Sequence, residues 1–246
     1  MMLSRRTAFV LSAVLVLITG CNSVDRDLVR PSSKPLRVLF IGNSYTYGNS
    51  LPVMLATLAT SPGSPRQIQT DMVAVSSATL QQTWEQGTAK KAIQEGKWDF
   101  VVLQEYSLLP AQDPERMYRY ARQFDAEIKK NGAKTVLFLT WARRGQPEMQ
   151  LSLDRAYYTL ARELDALVAP VGPAWQLALG LAPTIALHMD DGSHPTPTGT
   201  YLTACVFYLV MLGNQHSCPT MERAEIAQED AAIARTAASR ASTTVH

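Results

Sequence analysis

Leu36-Arg37-Val38-Leu39-Phe40-Ile41-Gly42-Asn43-Ser44 is an apolar run that ends in a polar turn. Val38 to Ile41 are apolar without alternation, the pattern of a strand covered on both faces in a parallel sheet. The run stops at Gly42-Asn43-Ser44, a polar loop follows to Ser50, and a helical pattern begins at Leu51. Strand, tight turn and helix open an α/β unit, and reactive groups collect at the carboxyl ends of such strands. Ser44 is thereby a candidate nucleophile. Turn chemistry alone is the competing explanation of Gly-Asn-Ser.

Downstream, apolar runs keep alternating with helical patterns. Ser61-Pro62-Gly63-Ser64-Pro65 breaks the chain after a first helix over Leu51 to Thr60. Gln67 to Val75 reads as a second strand, ending at Ser76-Ser77, and a helical region with Thr88 as a cap runs on to Gly96. Asp99 to Leu103 is a third buried strand with Gln104 at its end. Asp113 caps the next helix, Pro114 suits its first position, and Asn131-Gly132 stops it. Thr135 to Thr140 is a fourth strand and Leu167 to Val171 a short fifth. Helices are expected around Leu153 to Leu164, over Pro173 to Leu181, over Tyr201 to Leu212, and over an alanine-rich end from Glu222 to Ser239. Strands separated by helices of this length pair in parallel through right-handed crossovers. The expectation is a three-layer α/β/α sandwich around a five-stranded, flavodoxin-like parallel sheet, with strand order undetermined.

Upstream, Arg5 and Arg6 precede an uncharged, apolar stretch from Thr7 to Gly20. Its length and layout are those of a secretory signal rather than a membrane span. It ends in Ile18-Thr19-Gly20-Cys21, which resembles the bacterial lipobox; that resemblance implies removal of residues 1–20 and lipidation of Cys21. Residues 21–35 read as a polar tether and 36–246 as one domain. The expected partner of the amino terminus is a membrane, with the body exported to the cell envelope. Without Arg5 and Arg6 the 21 Lys and Arg residues balance 21 Asp and Glu. No basic run stands out, so nucleic-acid binding has no electrostatic footprint.

Asp191-Gly192-Ser193-His194-Pro195 lies in a loop just before the last core helix. The spacing lets Asp191 accept from one ring nitrogen of His194 while the other faces outward as a base. The nearby helix amino terminus disfavours the imidazolium. This loop and Gly42-Asn43-Ser44 are both expected at one edge of the sheet. No CxxC, HxxxH or phosphate-loop pattern is present, so neither a metal nor a nucleotide cofactor has support in the sequence. His188 reads as a loop packing residue. Trp141 and Arg143-Arg144 read as a solvated loop with an anchoring ring, against the alternative of a rim to the site. Cys205 and Cys218 are the only cysteines of the body. They are open to two readings, a disulfide across the helix end at Gly213 or a buried free Cys205.

From Leu36 to Leu212 the chain resembles the SGNH hydrolases, also called GDSL esterases and lipases. The first matching block is Gly42-Asn43-Ser44-Tyr45, with Asn43 where that pattern has Asp, and the last is Asp191-Gly192-Ser193-His194. The resemblance implies Ser44 as nucleophile, His194 as general base and Asp191 as its orienting partner. It implies an oxyanion hole from the Ser44 N–H, a residue after the second strand and one after the third. Here those positions hold Ser77 in place of glycine and Gln104 in place of asparagine. It further implies an esterase that needs no cofactor, acting on carbohydrate O-acetyl groups, lipid esters or thioesters. A non-catalytic glycan-binding lipoprotein on the same fold is the alternative.

Overall fold

The structure, a computed structural model, describes residues 34–243 apart from Glu222 and Ala224. The signal, Cys21 and the tether as far as Ser33 lie outside the described residues. Five strands form one parallel sheet in the order β2-β1-β3-β4-β5. They are β1 Leu36–Gly42, β2 Ile68–Ala74, β3 Phe100–Leu103, β4 Lys134–Leu139 and β5 Leu167–Pro170. The helices are α1 Ser44–Tyr47, α2 Leu51–Leu58, α3 Leu80–Gln86, α4 Thr88–Glu95, α5 Leu109–Gln112, α6 Pro114–Lys130, α7 Met149–Leu164, α8 Val171–Leu181, α9 Pro197–Leu212 and α10 Gln228–Thr243. The fold is the expected three-layer α/β/α sandwich around a five-stranded parallel sheet.

Alternation along each strand sorts its side chains into two cores. Val38, Phe40, Val102, Val136 and Phe138 face α2, α8, α9 and α10. Leu39, Ile41, Val101, Leu103, Leu137 and Leu139 face α3, α4, α6 and α7. Both sets are almost fully buried, which is why the strands read as unbroken apolar runs. α9 is buried all round and α10 covers it, so α9 carries almost no amphipathic pattern of its own.

Several boundaries differ from the sequence expectation. The region before Gly96 is two helices, broken where Gly87 takes φ +79°, and Thr79 with Gln82 forms a capping box at the start of α3. Thr88 therefore lies inside α4 rather than capping it. The last helix begins at Gln228 and runs to Thr243, with Glu229 and Asp230 in its first turn where the helix dipole favours acids. Cys205 and Cys218 form a disulfide, tying α9 to the segment that leads into α10. In the chain-entropy picture a loop of this size contributes about 3 kcal/mol.

Candidate active site

The carboxyl end of β1 delivers Ser44 through a turn with little freedom. A Cβ on Gly42 would lie 2.4 Å from Thr46 Oγ1 and 2.5 Å from Gln104 Oε1, so only glycine fits there. Asn43 caps α1: its Oδ1 accepts from the Tyr45 N–H at 3.2 Å, and its carbonyl accepts from the Thr46 N–H. Ser44 is the first residue of this four-residue helix and is half-buried.

The structure brings Ser44, His194 and Asp191 together. His194 Nε2 lies 2.9 Å from Ser44 Oγ, and His194 Nδ1 lies 2.5 Å from Asp191 Oδ2. Asp191 Oδ1 accepts from the Ser193 N–H at 2.8 Å and the His194 N–H at 2.9 Å, so the Asp-x-x-His spacing is a closed turn. The hydrogen bond from His194, reinforced by those two amides, holds the Asp191 carboxyl down to about 2. The pair opens to solvent, with the His194 side chain 40% exposed and that of Asp191 48%. A carboxylate, an imidazole and a hydroxyl in that order can deprotonate the hydroxyl as it attacks an electrophile.

Ser77 occupies the turn after β2. The Ala78 N–H donates to the Val75 carbonyl at 3.1 Å, which leaves the Ser77 N–H outside the turn's own hydrogen bond. Ser77 has φ +58°, a region that favours glycine and costs a serine about 1 kcal/mol. The turn is pinned to the nucleophile loop twice, by Asn43 Nδ2 on the Ala78 carbonyl at 2.9 Å and by the Val75 N–H on the Gly42 carbonyl at 3.1 Å.

Gln104 departs from the sequence expectation of an open donor. Its carboxamide is 1% exposed and engaged within the protein. Oε1 accepts from the Asn43 N–H at 2.8 Å and from the Thr46 hydroxyl at 3.0 Å, while Nε2 donates to the Glu105 carbonyl. The reason is local: the Asn43 N–H is buried at the end of β1 and needs an acceptor, which the amide oxygen supplies. Gln104 thus braces the turn that carries Ser44.

The sequence reading of Trp141 and Arg143-Arg144 as a solvated loop is corrected by how Trp141 and Arg144 hold the Asp191–His194 loop. Trp141-Ala142-Arg143-Arg144 is a clamp rather than a solvated loop. Trp141 Nε1 donates to the Ser193 carbonyl at 3.0 Å, the Arg144 N–H donates to the Gly192 carbonyl at 2.9 Å, and the Arg144 guanidinium reaches the His188 and Met189 carbonyls. His188 is the packing residue expected: it bonds the Ala142 carbonyl at 3.0 Å and lies edge-on to Trp175, and burial keeps its pKa low. Tyr45 stacks on Trp141 and bonds Ser193 Oγ at 2.6 Å. Asn49 Nδ2 donates to the Pro195 carbonyl and to Thr200 Oγ1, both at 2.9 Å. The placing of Trp141 to Arg144 straight after a buried strand was the available signal; Asn49 gave none. Among the described residues no group of three His, Cys, Asp or Glu side chains is placed to hold a metal ion.

The chain matches no family model and no curated protein. Among solved structures it resembles a protein from Slackia heliotrinireducens assigned to the SGNH hydrolases, at 30% identity over 72% of this chain and 100% of the other, with a TM-score of 0.64. It shares its fold with a DUF4886 family protein from Bacteroides uniformis, at 19% identity over 85% and 95% of the two chains and a TM-score of 0.64. It shares it also with the acetylxylan esterase Axe2 from Geobacillus stearothermophilus, at 18% identity over 75% and 96% and a TM-score of 0.58. On the first of these matches, which spans the whole of the relative, the chain belongs to the SGNH/GDSL family of hydrolases.

Proposed function

We propose that the protein is a serine esterase that cleaves carboxylic esters through an acyl-enzyme. The observation that carries this reading is the continuous chain from Asp191 through His194 to Ser44 Oγ. Ser44 Oγ attacks the ester carbonyl carbon while His194 Nε2 takes the hydroxyl proton. The imidazolium, balanced by Asp191, then returns that proton to the departing alcohol. Water repeats the sequence on the acyl group and frees the acid and Ser44. The Ser44 and Ser77 N–H groups serve the oxyanion, with Gln104 fixing the first of them by bracing Asn43. No step calls for a cofactor.

The exposed His194–Asp191 pair leaves room for a bulky alcohol, for which an O-acetylated carbohydrate is the leading candidate. The likeness in fold to an acetylxylan esterase supports the same class. The signal and Cys21 support an exported protein anchored by lipid to the cell envelope. A glycan-binding protein without turnover is the second reading, favoured by the engaged amide of Gln104.

The test is hydrolysis of an activated acetyl ester. Ser44→Ala and His194→Ala should each lower kcat by about 1,000-fold or more, with the double variant no worse than either, as expected of groups acting as a unit. Wild-type turnover in Ser44→Ala, or no turnover in the parent, would contradict the reading.

A further inference from the structure

Glu105 is a buried carboxyl group for which the reaction above has no use. It is 1% exposed, and its Oε2 has no hydrogen-bond partner. Burying such a group is unfavourable unless it is paired or hydrogen-bonded, and only one of its two oxygens is. Its Oε1 accepts from the Tyr106 N–H at 2.6 Å and from the Leu80 N–H at 3.2 Å. Burial pushes its pKa up to about 7, in keeping with an acid kept out of water.

Leu80 is the first residue of α3 and lies three residues after Ser77. The capping box at this end engages Thr79 and Gln82, and the Leu80 N–H goes to Glu105 instead. α3 has only seven residues, too few to hold its own first turn firmly. The left-handed backbone at Ser77 likewise persists only where its surroundings over-determine it. Asn43 fixes the turn at Ala78 and Glu105 fixes it two residues further on. Alternation at the end of β3 explains the division of labour. Gln104 turns to the Val102 side and braces the Ser44 loop, whereas Glu105 turns to the Leu103 side and braces the Ser77 loop.

We propose that Glu105 is a positioning residue that holds the Ser77 N–H where the oxyanion of the ester intermediate forms. The proposal rests on the reading of Ser44 as nucleophile. Glu105 touches no substrate; it acts through the backbone from Leu80 to Ser77. Its Oε1 is the part that matters, so an uncharged acceptor in the same place does the same work.

The experiment compares Glu105→Met, which keeps the volume and removes the acceptor, with Glu105→Gln, which keeps an amide oxygen. Substrate is a neutral acetyl ester, and Ser44→Ala is run alongside. The expected result is a fall in kcat of about 10-fold or more for Glu105→Met with KM nearly unchanged, and recovery of most of that loss in Glu105→Gln. The acid limb of the kcat/KM profile should stay in place in both. Should Glu105→Met not fold, Glu105→Asp withdraws the carboxylate by one methylene and should show the same loss in kcat. Unchanged kcat in folded Glu105→Met, equal loss in Met and Gln, a shifted acid limb, or unfolding of both Met and Asp variants would each overturn the proposal. If the parent shows no turnover that depends on Ser44, the underlying esterase reading has failed instead.

Discussion

Asp191 and Glu105 are two carboxyl groups whose surroundings push them in opposite directions. Asp191 is held low by the hydrogen bond from His194, and stays ionised through the neutral range. Glu105 is held high by burial, and keeps its proton to about pH 7. The sign of its effect on stability follows from linkage. An acid whose folded pKa exceeds its unfolded value binds the proton more tightly when folded. Its contribution is complete below about pH 4 and is lost as the pH rises through about 7. His188, lowered by burial, works the other way: its contribution is present above the unfolded histidine pKa and lost as the pH falls. Comparison with Glu105→Gln isolates the carboxyl. The parent should lose stability relative to this variant between pH 4.5 and 7.5, by on the order of 2–3 kcal/mol. Urea midpoints across that range check it, and a pH-independent difference would mean that Glu105 is solvated.

At the scale of elements, the site is four loops at the carboxyl ends of β1, β2, β3 and β4 joined to the loop before α9. The Ser44 and Asp191–His194 blocks were readable because each is local: a turn of fixed residue types, and a carboxylate and imidazole three residues apart. The brace at the end of β3 and the clamp after β4 were not, because their partners lie 25 to 61 residues away in the chain and act through backbone carbonyls and amides that carry no residue signature. Gln104 shows the limit well. Its position at the strand end was evident, but which way its amide is engaged depends on a buried N–H of Asn43. The clamp makes its own prediction. Arg144→Ala removes two guanidinium hydrogen bonds to the loop that carries Asp191 and His194 while keeping the backbone bond to Gly192. Activity on an activated ester should fall about 3- to 10-fold, with stability lower by about 1 kcal/mol, and Arg144→Lys should recover part of both. An alanine variant with parental kcat and melting temperature would leave the loop held by Trp141 and the backbone alone.

At the scale of the molecule, the layered fold follows from five apolar runs and the helices between them, and these were evident residue by residue. The order β2-β1-β3-β4-β5 was not, since parallel strands of similar composition carry no mark of their neighbours. Nor was the relation of α10 to α9, because a helix buried all round does not say which element covers it. What this architecture achieves is to place residues 150 apart in the chain within hydrogen-bond reach, Ser44 on His194. The central claim is that this contact makes Ser44 a nucleophile. Reaction of the purified protein with a fluorophosphonate, followed by peptide mapping, tests it directly. A single adduct on Ser44, formed slowly or not at all in His194→Ala, is expected. An adduct on another residue, or no adduct in a folded parent, would contradict it.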